Sequence, residues 1–206
     1  IDWTETFQTI DPGFGGAFTE AAALNWRALS RADRARVIDL YFGDPAAGGN
    51  GYTLGRVPIN SCGRDSCGHG LIYMRPAEPY SYGRCDFSPS SYTFDNVTGD
   101  TQLHAFDDSV AHDVASGMIP MIQAAQAALR ERGEALSLFA SPWSPPAWMK
   151  APVGGVAASM CTSAAPNGLL PSMQRAWARY FSRFISAYRA RGVEVWGVTT
   201  QNEPEA

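Results

Sequence analysis

The chain has 206 residues, of which 45% are hydrophobic and 12% aromatic, enough apolar surface for one domain or part of one and too much for a disordered tail. Sixteen Lys and Arg against twenty Asp and Glu leave a net charge of −4, which excludes the basic field that a nucleic-acid or anionic-lipid binder needs. No apolar run approaches the ~18 residues of a membrane span, and the opening at Ile1 without a signal segment reads as a processed or truncated start.

Residues 1–12 read as a separate N-terminal segment that can belong to an accessory β domain, with one α/β unit over 13–206. Gly13 to Phe18 is expected as a short buried strand whose glycines admit a close backbone or ligand. Helical character follows from Glu20 to Phe42, interrupted near Ser30, which is placed to cap a second helix ending before Gly43. Tyr52 to Ile59 is the second strand. Residues 61–100, rich in Gly, Pro, Ser, Tyr and Asp, form a long loop of the kind usually tied to function or disorder. Asp107 to Arg132 is helical again, with Pro120 read as the first residue of a second helix and Gly133 as its end.

Leu136 to Ser141 is the third strand, stopped by Pro142, Pro145 and Pro146. Ser172 is read as the cap of the clearest helix, whose apolar stripe is Trp177, Tyr180, Phe181, Phe184 and Tyr188, with Arg175, Arg179, Arg183 and Arg189 on a solvated face. Gly192 closes it, and Val193 to Thr200 is a fourth strand running into Gln201-Asn202-Glu203-Pro204. Alternating strand and helix predict parallel βαβ units, with chemistry at the carboxyl ends of the strands.

There is no GxSxG elbow, Walker lysine loop or HExxH pair, and the Gly13-x-Gly15-Gly16 cluster lacks the third glycine of a dinucleotide fingerprint. His69, His104 and His112 are scattered and read as packed or surface residues. Cys62, Cys67, His69 and Cys85 have no paired CxxC, so disulfides or free thiols outrank zinc; with Cys161, two disulfides could pair in three ways. Asn96-Val97-Thr98 is a glycosylation sequon, of consequence only in an exported chain. What stands out is the set of residues at or beyond strand ends: Asp86, Trp143, Trp148, Asn202 and Glu203, with Arg56 inside the second strand, where a charge is costly unless a partner meets it. Carboxylates beside tryptophan faces suit sugar chemistry, and leave both an enzyme and a sugar-binding module open.

Four stretches carry a more specific resemblance. Gly13-Phe14-Gly15-Gly16-Ala17-Phe18-Thr19-Glu20-Ala21-Ala22, Arg56-Val57-Pro58-Ile59-Asn60-Ser61-Cys62, Cys85-Asp86-Phe87-Ser88 and Ser141 to Lys150, with Asn202-Glu203-Pro204, resemble glycoside hydrolase family 30, most closely its glucosylceramidase (acid β-glucosidase) branch. The resemblance implies about four βα units, the first half of a (β/α)₈ barrel. It implies that Glu203 is the general acid/base, that Asn202 holds the sugar 2-hydroxyl, and that Arg56 orients the nucleophilic carboxylate. Asp86 and Trp143 would hold the outer hydroxyls; Glu20 is taken as structural and Trp148 as loop packing.

Two departures accompany it. Relatives run from Ser-Cys directly into Asp-Phe-Ser, whereas Gly63 to Arg84 is an extra segment here, a loop over the cleft or a gene-prediction artefact. The family's nucleophile is a glutamate on the seventh barrel strand, past Ala206, so residues 1–206 alone are expected to lack turnover. The implied substrate is glucosylceramide, with a membrane-surface contact through that lipid and a lysosomal or secreted location; no metal or organic cofactor is called for. A β-1,6-glucanase, a xylanase and a catalytically dead sugar binder are the rival readings, and the oligomeric state is unreadable.

Overall fold

The computed structural model describes residues 5, 10–61, 90–152, 157–160 and 168–202. Four strands, β1 (Gly15–Ala17), β2 (Leu54–Ile59), β3 (Ser137–Pro142) and β4 (Gly197–Val198), form one parallel sheet in sequence order. The register runs Gly15 opposite Leu54, Leu54 opposite Ser137 through Ile59 opposite Pro142, and Phe139 opposite Gly197. Parallel neighbours require long crossovers. Here α1 (Glu20–Ala28) and α2 (Arg31–Phe42) make the first, α3 (Ala111–Ser116) and α4 (Met118–Glu131) the second, and α5 (Gln174–Ala190) the third. All four strands therefore present their carboxyl ends on one side, as the sequence rhythm predicts.

The caps explain the helix starts. The Thr19 hydroxyl accepts the Ala22 N–H at the head of α1, and Ser30 accepts the Asp33 N–H at 3.1 Å at the head of α2, in the predicted role. Ser172 does not cap: it lies inside a single 3₁₀ turn, Pro171–Met173, that leads into α5 with Met173 as the flanking residue and no side-chain cap. The break between α3 and α4 falls at Gly117 (φ +100°), not at Pro120, which sits inside the first turn of α4, where its missing N–H costs no helical bond.

The core lies between sheet and helices. Val57, Ile59, Leu138 and Ala140 from the strands meet Ile122, Ala125 and Leu129 of α4 and Tyr180, Phe184 and Tyr188 of α5, all essentially inaccessible. That is the stripe read from the sequence. The arginines on the other side of α5 do more than face solvent. Arg179 donates to the Thr101 carbonyl and the Gln102 side chain, and Arg183 pairs with Asp108 and donates to the Leu103 carbonyl. They tie the 101–109 loop onto the helix.

Two strand expectations are corrected. β1 is exposed rather than buried, with Phe14 65% accessible, because among the described residues it pairs on one edge only. β4 spans two residues rather than eight: Val193 and Val195 point into the core before it, and Trp196 beside it is 71% accessible. No described helix is long and apolar enough to cross a membrane.

The glycines of β1 differ in what surrounds them. A Cβ at Gly15 would lie 1.6 Å from the Leu54 carbonyl oxygen, whereas one at Gly16 would meet nothing nearer than Tyr52 Cε2 at 4.0 Å. Gly15→Ala is therefore expected to destabilise by about 1–3 kcal/mol through backbone displacement. Gly16→Ala should be neutral, or stabilising by up to about 1 kcal/mol, through a less flexible unfolded chain. Denaturant midpoints of the two variants check this; equal effects would contradict it.

Candidate active site

Arg56 leaves the middle of β2 half-buried, so its charge has to be met by groups on the neighbouring strands. Its Nε donates to Ser141 Oγ at 3.0 Å, at the end of β3, and its Nη2 donates to Asn202 Oδ1 at 2.5 Å, past the end of β4. The guanidinium carbon also lies 4.4 Å from the centroid of the Trp143 ring, a cation–π distance. One side chain thus bridges three strands and brings Arg56, Trp143 and Asn202 together.

Backbone hydrogen bonds continue the sheet past its strands and hold these residues in place. Trp143 N–H donates to the Ile59 carbonyl at 3.2 Å, Thr199 N–H to Ala140 at 2.9 Å, and Asn202 N–H to Pro142 at 2.9 Å. Thr199 Oγ1 lies 2.9 Å from Ser141 Oγ and 3.3 Å from the Gln201 carbonyl oxygen. Glu203 and Asp86, the expected acid/base and outer-hydroxyl ligand, lie outside the described residues, as do all four cysteines and His69.

Below the mouth, Asn60 follows β2 in the left-handed region (φ +61°), which Asn tolerates better than most residues. It is fully buried, and its side chain clamps two loops: Nδ2 donates to the Ser144 carbonyl at 2.8 Å, and Oδ1 accepts the Tyr180 hydroxyl. Tyr180 in turn accepts the Phe94 N–H at 2.7 Å; burial pushes its hydroxyl well above the ordinary tyrosine range, so it stays protonated. Trp148 turns its Nε1 to the Asp95 carbonyl at 3.1 Å, in keeping with loop packing.

Glu20 does not join Arg56. Its carboxylate accepts Ser90 Oγ at 2.9 Å and contacts His112 Nε2 at 3.0 Å, while His112 Nδ1 lies 3.1 Å from Asp113, which also accepts the Tyr188 hydroxyl. The imidazole stacks on Tyr92 with centroids 3.6 Å apart. Burial alone would pull the His112 pKa down, but hydrogen bonds to Asp113 and Glu20, reinforced by their charge, hold it up at about 9. Burial pushes Asp113 the other way, above the ordinary carboxylate range. The cluster links the head of α1 to α3 and α5 and gives His112 the packed position expected of it.

Sequence reasoning missed Ser141, Thr199, Asn60 and Tyr180 as supporting residues. The available signal was polar side chains in or just past apolar strands, Ser141 after Ala140 and Thr199 after Val198. Tyr180 gave none, since its aromatic body places it on the core stripe whatever its hydroxyl does.

Comparison with known proteins follows the same outline. The model of the glycosyl hydrolase family 30 TIM-barrel domain matches residues 11–82 and 78–206. Lysosomal acid glucosylceramidase of Mus musculus is 34% identical over 97% of this chain and 32% of its own length. Among solved structures, SrfJ of Salmonella typhimurium has a TM-score of 0.69 at 30% identity, over 97% of this chain and 35% of its own. The endo-β1,6-glucanase BT3312 also reaches 0.69, at 26% identity, over 100% and 37%. The chain thus spans about a third of the length of these relatives.

The His112 cluster has a pH signature. Because its folded pKa, about 9, exceeds the ordinary 6.5, the stability it contributes is complete below pH 6.5 and is lost as pH rises through 9. Thermal midpoints measured from pH 6 to 10 should fall more steeply in the wild type than in His112→Gln over that window. Parallel curves would contradict the assignment.

Proposed function

Because the chain belongs to glycosyl hydrolase family 30, we propose that the full-length protein is a retaining glycosidase that cleaves a β-glucosidic bond, with Glu203 as its acid/base. The observation that supports this most is Arg56 bridging from β2 to Asn202, beside the indole of Trp143, at the carboxyl ends of the strands. An apolar ring face next to an amide and a fixed cation is what a sugar ring with polar edges requires. In a barrel, that end of the sheet is where chemistry is found.

The proposed reaction is a double displacement. A second carboxylate, about 5–5.5 Å from that of Glu203, attacks the anomeric carbon as the glycosidic C–O bond breaks. The proton of Glu203 passes to the departing oxygen. Glu203, now a carboxylate, then takes a proton from water, whose oxygen displaces the enzyme carboxylate and restores both groups. Arg56 orients and charge-stabilises the nucleophile, which the resemblance places on a later barrel strand. Asn202 holds the 2-hydroxyl, and Trp143 and Asp86 hold the outer hydroxyls. With one of its two carboxylates, residues 1–206 alone should not turn over.

Glucosylceramide is the proposed substrate, on the likeness to the mouse lysosomal enzyme; it brings a membrane-surface contact through the lipid and a lysosomal or secreted location. The exposed Asn96 of the sequon is compatible with passage through a secretory compartment. The equally high structural likeness to an endo-β1,6-glucanase favours a second reading, in which the substrate is a β-1,6-glucan.

Two experiments test the proposal. Glu203→Gln in the full-length protein should slow glycosides with poor leaving groups by roughly 10²–10⁴-fold and activated aryl β-glucosides far less; equal loss on both would remove Glu203 from the acid role. Residues 1–206 assayed on an aryl β-glucoside should be inactive, and robust turnover would mean that the nucleophile lies within them.

A further inference from the structure

An asparagine amide has a donor end and an acceptor end, and a half-turn about its last torsion exchanges them. Asn202 therefore needs something to fix its sense. Arg56 carries only donors, so its contact fixes Oδ1 as the end facing the guanidinium and turns Nδ2 away from it. Arg56 is itself an arm of several rotatable bonds, and one hydrogen bond does not set its angle. The second comes from Ser141, which is fully buried.

The path is a ring in which Ser141 Oγ is the shared acceptor. Arg56 Nε brings a proton to Ser141 Oγ. Thr199 Oγ1 donates to the same Ser141 Oγ at 2.9 Å, with the Gln201 carbonyl as its more distant acceptor at 3.3 Å. The Ser141 oxygen has two lone pairs, so it accepts from Arg56 on one side and Thr199 on the other, held between β2 and the segment after β4. Gln201 is joined covalently to Asn202, whose Oδ1 takes the Nη2 proton of the same arginine. The ring links β2, the end of β3 and the segment after β4.

We propose that Ser141 and Thr199 are positioning residues for the sugar 2-hydroxyl, acting through Arg56 and Gln201 to keep Asn202 Nδ2 turned out as a donor. The inference rests on the glycosidase reading given above. It separates from a simpler duty, stapling the end of β3 to the chain beyond β4, because a staple has no reason to care which hydroxyls the substrate carries.

The test uses the full-length protein, an aryl β-glucoside and the matching 2-deoxyglucoside. Thr199→Val removes the hydroxyl at nearly constant shape, and Ser141→Ala breaks the same ring one step earlier. Each should lower kcat/KM on the glucoside by about tenfold, mainly in kcat, since contacts to the 2-hydroxyl strengthen in the transition state. On the 2-deoxyglucoside the same variants should stay within about twofold of wild type, and Thr199→Ser should restore the glucoside rate. Equal losses on both substrates would overturn the positioning role in favour of the staple, and unchanged rates on both would overturn it as well. A wild type that turns over neither substrate would overturn the glycosidase reading, and this inference with it. Should Thr199→Val fail to fold, Ser141→Ala decides by the same ratio.

Discussion

A guanidinium rooted in the middle of a strand is the constraint from which the rest of the site follows. Arg56 is half-buried, and acceptors come to it from β3 and from beyond β4. Among the described residues, two neutral hydrogen bonds and a π face meet it. A cation held that way is suited to stabilise a negative group or a developing charge nearby. It also makes the relative placement of three strands a functional quantity, because a small slip of β4 would separate Asn202 from the arginine.

The core is arranged to prevent such a slip. α5 packs Tyr180, Phe184 and Tyr188 beneath the sheet, and the Tyr180 hydroxyl reaches up to Asn60 at the end of β2. Asn60 then holds the Ser144 carbonyl, one residue past Trp143. One helix thereby braces the loops after β2 and β3, and its arginines brace the loop before α3. The Glu20, His112 and Asp113 cluster does the equivalent for the head of α1. Its carboxylates are already engaged with an imidazolium and with hydroxyls, which suits a fastener better than an acid or base for a ligand.

The legible parts of the sequence were those with a period or a cap. Helices α1, α4 and α5 follow apolar spacing, while the start of α2 is marked by its Ser30 cap rather than by an apolar stripe. β4 is shorter than the sequence suggests: Val193 and Val195 alternate like a strand, but their burial comes from core packing and the ladder closes only over Gly197–Val198. β1 is exposed where a buried strand is expected, while the expected close backbone approach is found at Gly15, against the Leu54 carbonyl. Arg56, Trp143 and Asn202 could be proposed from position and resemblance. That they touch one another could not, since the contacts span residues 56 to 202 and depend on sheet register, which no local pattern encodes.

The central claim is that Arg56, Trp143 and Asn202 form the floor and wall of a sugar-binding mouth. A crystal structure of the full-length protein with glucose bound tests it most directly. The account predicts the sugar ring against the indole of Trp143, with its 2-hydroxyl oxygen about 3 Å from Asn202 Nδ2 while Oδ1 keeps its arginine. Glucose bound away from Trp143, or an Asn202 amide detached from Arg56 in the complex, would contradict it.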